Sequence, residues 1–434
     1  MAQWNKNTQD YLNQERSLFE VYMQADRHGE IFDPVGQGFN GDLFGRVKVS
    51  NPYTLFDSSH RYSQDGDFDD VVLGTGSTVG FITAQSSVTL GIGTTTGCSI
   101  IRESKKVFSY QPGKALQVLQ TFVFNPPQTN LIQRAGYASS ENGVMVELNG
   151  SQLNLIKRTS ISGVGTTISV PQSEWNRDTL DGSGPNESNP SGIYLDMTKA
   201  QILFSEYEWL GVGCARVGFV NSNGKFHTAH IFNHANTLDS VYMTTACLPV
   251  RYEILNTGIT TSASTMKQIC VSVQSNGGYE KKKTERIARR ETQVSVATTT
   301  FVPIVSIRLA PGRTDAIILP IQISFMPESS QTSTIEVALI KNTTLTTPSW
   351  VTSPSPNVQM DITSTSISGG EIIRNDYVSS ANKANVPLSV DQSYNWDMQL
   401  GRTQAKVSDT YTLAARAVSG SALCLGSLGF YDLT

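Results

Sequence analysis

Three of the five histidines, His227, His230 and His234, fall within eight residues. On a helix the spacing i, i+3, i+7 puts all three on one face, which suits a transition metal. The surrounding text reads instead as a strand, where odd and even positions point to opposite faces. His227 and His230 then converge only if a bulge intervenes. A candidate with oxygen ligands, Asp65-Gly66-Asp67-Phe68-Asp69-Asp70, opens like a calcium loop. It has Asp70 where the sharp turn needs glycine and Gly76 where a bidentate glutamate belongs, so a solvated acidic turn is expected. Glu206 and Glu208 share a strand face, which would serve glycosidase chemistry if a cleft held the carboxylates about 5 to 9 Å apart. Trp175 and Trp209, with Tyr207, could offer a sugar a stacking platform, and Asp178 and Asp181 follow Trp175 as further glycan contacts; Tyr207 and Trp209 on one strand face equally suit a core. There is no nucleophile elbow, HExxH pair or GxxxxGK[ST] loop. No catalytic residue is therefore assigned, and no cofactor is expected.

The composition sets the class of scaffold. The chain has 434 residues, enough for two or three domains. Only 16% are charged, against about 25% in an average soluble chain. The polar surface must come from 48 Ser, 43 Thr and the amides, and with 35 Gly this favours strands joined by many turns. A coiled coil and a disordered chain are both excluded by this mixture. A net charge of -4 gives no global attraction to nucleic acid. No apolar run nears the roughly 20 residues that cross a bilayer, and the first residues lack a signal-peptide pattern, so a soluble protein folding in the cytoplasm is expected. The five scattered cysteines suggest neither a disulfide framework nor a zinc site.

Three regions follow. Residues 1–105 read as an N-terminal arm plus an irregular β layer. A helix there carries Tyr11, Leu18 and Tyr22 on one stripe with Leu12, Phe19 and Met23 beside it. Residues 106–275 read as a central sandwich, with hairpins at Asn149-Gly150 and Asn223-Gly224, where positive φ is needed. A polar loop, Trp175 to Pro190, lies between them. Residues 276–434 read as a second sandwich, with strands at Val302 to Leu309, Ala316 to Phe325 and Thr334 to Ile340, and a final run, Tyr411 to Leu433, that completes the sheet. The fold expected is mainly β: antiparallel, jelly-roll-like sandwiches behind an N-terminal helix or arm. Lys281, Lys282, Lys283, Arg289 and Arg290 belong to a basic run that suits a solvated loop, a subunit contact or a phosphate contact. With Tyr11, Leu18, Phe19 and Tyr22 they are the candidate partner contacts.

Several longer motifs carry a family resemblance. Asn51-Pro52-Tyr53-Thr54-Leu55-Phe56-Asp57, Tyr110-Gln111-Pro112-Gly113-Lys114, Glu141-Asn142-Gly143-Val144, Trp175-Asn176 and Leu180-Asp181-Gly182-Ser183-Gly184 resemble virion structural proteins of tailed bacteriophages from aquatic hosts. So do Ser191-Gly192, Tyr207-Glu208-Trp209-Leu210-Gly211-Val212-Gly213, His230 to Asn236 and Leu248-Pro249-Val250-Arg251-Tyr252-Glu253. The resemblance covers about residues 50 to 260. It implies a particle component of head or tail, made in the host cytoplasm, whose partners are other virion proteins and copies of itself. The alternative is a tail-fibre module that binds a host surface glycan through Trp175, Asp178 and Asp181.

Overall fold

A computed structural model describes residues 51–280, 285–297, 299–352, 354–381, 386–389 and 396–434. The expected N-terminal helix, with Tyr11, Leu18, Phe19 and Tyr22, lies outside the described residues, as do Lys281, Lys282 and Lys283. The described chain is β apart from three single-turn 3-10 helices, and none of its helices is long and apolar enough to cross a membrane.

The chain divides into two compact units. Unit 1 runs to Asp65 and continues through Asp70–Arg102 and Tyr110–Tyr279; unit 2 comprises Gly66–Asp69, Glu103–Ser109 and Glu280–Thr434. Of the layer expected over 1–105, the described residues from 51 onward are divided between the two units. Its described strands join the sheets that the later sequence builds, because a lone layer leaves one apolar face in water.

Unit 1 is an antiparallel sandwich. One sheet runs in the order Phe226–Phe232, Ala215–Val220, Gln201–Tyr207, Ala115–Val123, Ser264–Asn276, Ser87–Ile92 and Thr78–Ile82, with Tyr53–Ser59 also paired to Ser264–Asn276. The other runs Thr166–Pro171, Gln152–Thr159, Gly143–Asn149, Leu131–Ala138, Val250–Asn256, Ser99–Ser104 and Phe68–Leu73. Register explains the core. Val144 lies opposite Tyr137 and Lys157, and Tyr137 lies opposite Val250, so these four share the inner face. The Tyr137 ring meets Tyr207 of the facing sheet at 5.1 Å, and its hydroxyl donates to the Ala246 carbonyl at 2.8 Å. Each large side chain buried here contributes about 1.5–3 kcal/mol. The first expected hairpin forms with its two-residue turn one position later: Asn149 pairs with Gln152, leaving Gly150 at φ +58 in the turn.

Unit 2 is a second sandwich. Its smaller sheet holds Glu285–Arg289, Ala422–Asp432, Ile318–Glu328 and Val386–Ser389, with Val294–Val296 also on Ala422–Asp432. The larger runs Val351–Thr352, Val358–Asp361, Val302–Leu309, Thr410–Ser419, Thr334–Lys341 and Glu371–Ser379. The C-terminal run does not complete one sheet. It breaks at Gly420 (φ +70), so Thr410–Ser419 becomes an interior strand of one sheet and Ala422–Asp432 an interior strand of the other.

Candidate functional site

The histidines and the Trp175, Asp178 and Asp181 group singled out in unit 1 lie along and just beyond the strand Phe226–Phe232 and in the loop that follows Pro171. The strand carries the bulge that the histidines require. Phe219 lies opposite His227 and Val217 opposite His230, with the register shift between them, so both histidines project to the same face as Phe219 and Val217. The extra residue, Ala229, is held by the loop: its carbonyl accepts from the Arg177 and Asp178 amides at 3.1 and 3.2 Å. Asn176 continues the edge like a short strand. Its side chain donates to the Ile231 carbonyl at 2.9 Å and accepts from the Ile231 amide at 2.9 Å, while its own amide donates to His230 Nδ1 at 3.2 Å.

His234, just beyond the strand, is engaged on three sides. Nδ1 donates to the Gly213 carbonyl at 2.6 Å, which leaves Nε2 as the acceptor for Lys157 Nζ at 2.7 Å. The ring lies flat on Tyr242, 3.9 Å between centroids and 4° between planes. Gly213 is required by a separate close approach, since a Cβ there would stand 1.6 Å from the Glu208 carbonyl oxygen. Lys157 occupies an inner-face position as a buried amine, with its ammonium 5.6 Å from the Phe232 ring and 5.7 Å from Tyr242. Burial lowers the Lys157 pKa. Burial, then the nearby Lys157 charge, pushes His230 down to about 4; burial does the same to His234, whose bond to Gly213 opposes the shift and Lys157 adds to it.

These contacts correct the metal reading of His227, His230 and His234. Although the bulge brings His227 and His230 to one face, the His234 nitrogens are both committed, His230 Nδ1 accepts from Asn176, and His227 Nε2 lies 3.1 Å from Asn221 Nδ2. No group of three or more His, Cys, Asp or Glu side chains is placed to hold a metal among the described residues. The acidic turn is likewise spoken for. Asp67 pairs with Lys106 at 2.7 Å, and Asp70 pairs with Arg102 at 2.5 Å.

Trp175 does not offer a sugar-stacking face. It is 4% exposed, lies against Phe219 with centroids 6.5 Å apart, and donates through Nε1 to the Val170 carbonyl. Asp178 is buried and accepts from the Leu180 and Ser191 amides; burial raises its pKa. Asp181 accepts from the Ser183 amide and from Asn189 Nδ2, and its pKa is lowered first by the Ser183 side chain and then by the Ser183 amide. The exposed ring is one the sequence reading passed over: Tyr194, bridged to Asp181 and 73% exposed, stands over Gly182, whose φ of +77 brings the turn beneath it.

The carboxylates proposed for a cleft are interior. Glu206 and Glu208 are both fully buried, and Glu206 lies opposite Arg216 with an ion pair at 3.4 Å and accepts from Asn276 at 3.0 Å. The outward face of the other unit 1 sheet holds a denser network. Glu253 receives Arg158 through two bonds of 2.8 Å, Arg134 at 2.8 Å and Arg251 at 2.5 Å, and Arg134 also reaches Glu147 at 2.7 Å. Tyr207 is fully buried, as a core residue should be, and Trp209 is half-buried, edge-on to Tyr110 at 6.2 Å. In unit 2, Arg289 makes a solvent-exposed pair with Glu291, worth about 0–1 kcal/mol, and Arg290 is half-buried.

Lys157, Asn176 and Tyr242 were missed by sequence reasoning. Lys157 had a legible signal: it takes the inner position of an alternation after Leu153 and Leu155.

No protein-family model matches the chain, and no curated protein sequence matches it. Among solved structures it is similar to the β-glucanase of Bacillus licheniformis, at 9% identity over 52% of this chain and 98% of that one, with a TM-score of 0.33. Peanut lectin, at 10% identity over 52% and 98% of the two chains, has a TM-score of 0.30. A carbohydrate esterase of Shiga toxin-encoding bacteriophage phi24B, at 10% identity over 52% and 100%, also has a TM-score of 0.30. These likenesses concern strand arrangement and assign no activity to this chain.

Proposed function

We propose that the chain is a non-enzymatic structural component of a tailed-phage particle that works by assembling with copies of itself and with other virion proteins. The observation that carries this reading is the fate of the reactive side chains. Glu206 is neutralised by Arg216 and Glu253 by three arginines, while His230 and His234 are buried and hydrogen-bonded. Groups fixed in this way stabilise a rigid body and are not themselves poised as acid, base or nucleophile. The family resemblance of residues 50 to 260 supports the same reading. Electron microscopy of particles carrying this chain with a C-terminal label tests it: label on shell or tail is the expected outcome, and unlabelled particles would overturn it. A chain lacking residues 1–25 should fold and fail to join particles.

A second reading, recognition of a host glycan by the loop after Trp175, is favoured by one observation. Tyr194 presents its ring to solvent beside Asp181, on a loop held rigid by its own amides. A glycan array would show binding that Tyr194→Ala abolishes; no binding at high protein concentration would remove this reading.

A further inference from the structure

His60 stands just past the strand Tyr53–Ser59 and is 1% exposed. Its Nδ1 accepts from the Asp65 amide at 3.1 Å, which leaves the proton of the neutral ring on Nε2. Burial, then the nearby Arg102 charge, lowers its pKa and keeps the ring neutral. Gln268 of the strand Ser264–Asn276 is fully buried and reaches the same ring. Its Oε1 accepts from Arg102 Nε at 2.5 Å, Arg102 Nη1 donates to Asp70 Oδ2 at 2.5 Å, and Gln64 Nε2 donates to that oxygen at 3.3 Å. A chain of polar contacts therefore leaves the loop 61–65 at Gln64, passes between the two sheets of unit 1 through Asp70, Arg102 and Gln268, and returns through His60 to Asp65. One link in it fails. Where Gln268 meets His60 both groups are donors, and neither Nε2 has a partner among the described residues. Turning the Gln268 amide would set its nitrogen against Arg102 Nε, and the other histidine tautomer would set Nδ1–H against the Asp65 amide.

We propose that this gap is an internal binding site for ordered water, which accepts from His60 Nε2 and Gln268 Nε2 and so closes the chain of contacts between the sheets of unit 1. The class of ligand follows from what borders it. Asp70 Oδ1 is a buried acceptor without a partner on the same chain of contacts. Gln120 Oε1 is another: Gln120 lies two residues along from Phe122, which is paired with Gln268, and so points inward on the same face. Tyr252, which borders both Arg102 and Gln120, leaves its hydroxyl unpartnered as well. A ligand among these groups needs lone pairs for the two nitrogens and hydrogens for the open acceptors, and water supplies both, as buried waters with about three hydrogen bonds do. A halide has no hydrogen to give. It would also be buried without a counterion, because the Arg102 charge is already met by Asp70. A cation would face the two donors. The water fastens the loop 61–65 to both sheets, and the site needs neither assembly nor glycan binding.

A crystal structure of the full chain, grown in sodium bromide, tests it. Electron density within about 3.2 Å of both nitrogens, with no anomalous signal, is the expected result. An anomalous peak at that position would mean an anion, and no density, or a Gln268 amide turned to offer Oε1 to His60, would mean no ligand; each overturns the proposal. In solution, heteronuclear NMR of the histidine side chains should show His60 protonated on Nε2 and bare on Nδ1. The opposite tautomer overturns the site, since Nε2 could then accept directly from Gln268. Gln268→Glu replaces the donor with an acceptor. His60 Nε2 should then bond to it directly, the density should vanish, and His60 should titrate at higher pH than in the native chain. Density that persists unchanged overturns the assignment, and if the variant fails to fold, the native density and tautomer decide.

Discussion

Glu253 is the acceptor for three guanidinium groups, and its arginines hold its carboxyl well below the usual carboxylate range against the opposing effect of burial. Removing one member of a buried ion network leaves the others charged and dry, which costs about 3–5 kcal/mol. Glu253→Gln should therefore lower the urea unfolding free energy by about that amount, with Arg134, Arg158 and Arg251 left in excess. The histidines give a second signature. Folded His230 and His234 titrate at about 4, against about 6.5 for an unfolded histidine, so between these pH values the unfolded chain binds more protons. Stability is present in full above about pH 6.5 and falls as pH drops toward 4. Glu253 also has a depressed pKa, so its contribution is lost at lower pH, starting near the unfolded value of about 4.3. Chemical denaturation across pH 4 to 8 should show this positive slope, and His234→Gln should flatten part of it.

At the scale of elements, the bulge at Ala229 and the loop after Trp175 depend on each other. The bulge turns two histidines to one face, and the loop satisfies the carbonyl that the bulge releases. Asn176 makes three of the contacts that hold the loop to the strand, two of them through its side chain. Asn176→Ala should leave the Ile231 amide and carbonyl without those partners and cost about 1–3 kcal/mol. Limited proteolysis should then cut faster between 176 and 194 while the sandwich stays folded. Unchanged cleavage would mean that the loop is held mainly by the packing of Trp175 on Phe219.

At the scale of the whole molecule, unit 2 is discontinuous in sequence. Within it Arg402, 2% exposed, pairs with Glu103 and with Asp315 at 2.9 Å, and Gln399 donates to the Val107 carbonyl at 2.8 Å. A fragment of residues 280–434 would keep Arg402 buried and lose Glu103. It should therefore be insoluble or unfold well below the full chain in calorimetry, by the cost of an uncompensated buried charge. A fragment as stable as the full chain would show that segments 66–69 and 103–109 are dispensable to unit 2.

The sequence by itself determined the class of fold. Period-two alternation, Asn-Gly turns and a Ser/Thr-rich, weakly charged surface leave antiparallel sandwiches as the way to bury the apolar faces, because these signals are local. It also showed that converging His227 and His230 would require a bulge. Only the tertiary structure decided that the bulge exists and that both nitrogens of His234 and one each of His230 and His227 are engaged by Gly213, Lys157, Asn176 and Asn221. It likewise decided that Trp175 faces the core while Tyr194 faces water, and that the early strands belong to sheets built by later sequence. Each of these depends on partners tens to hundreds of residues away, and no local pattern of residue types specifies which distant group completes a hydrogen bond or covers a ring.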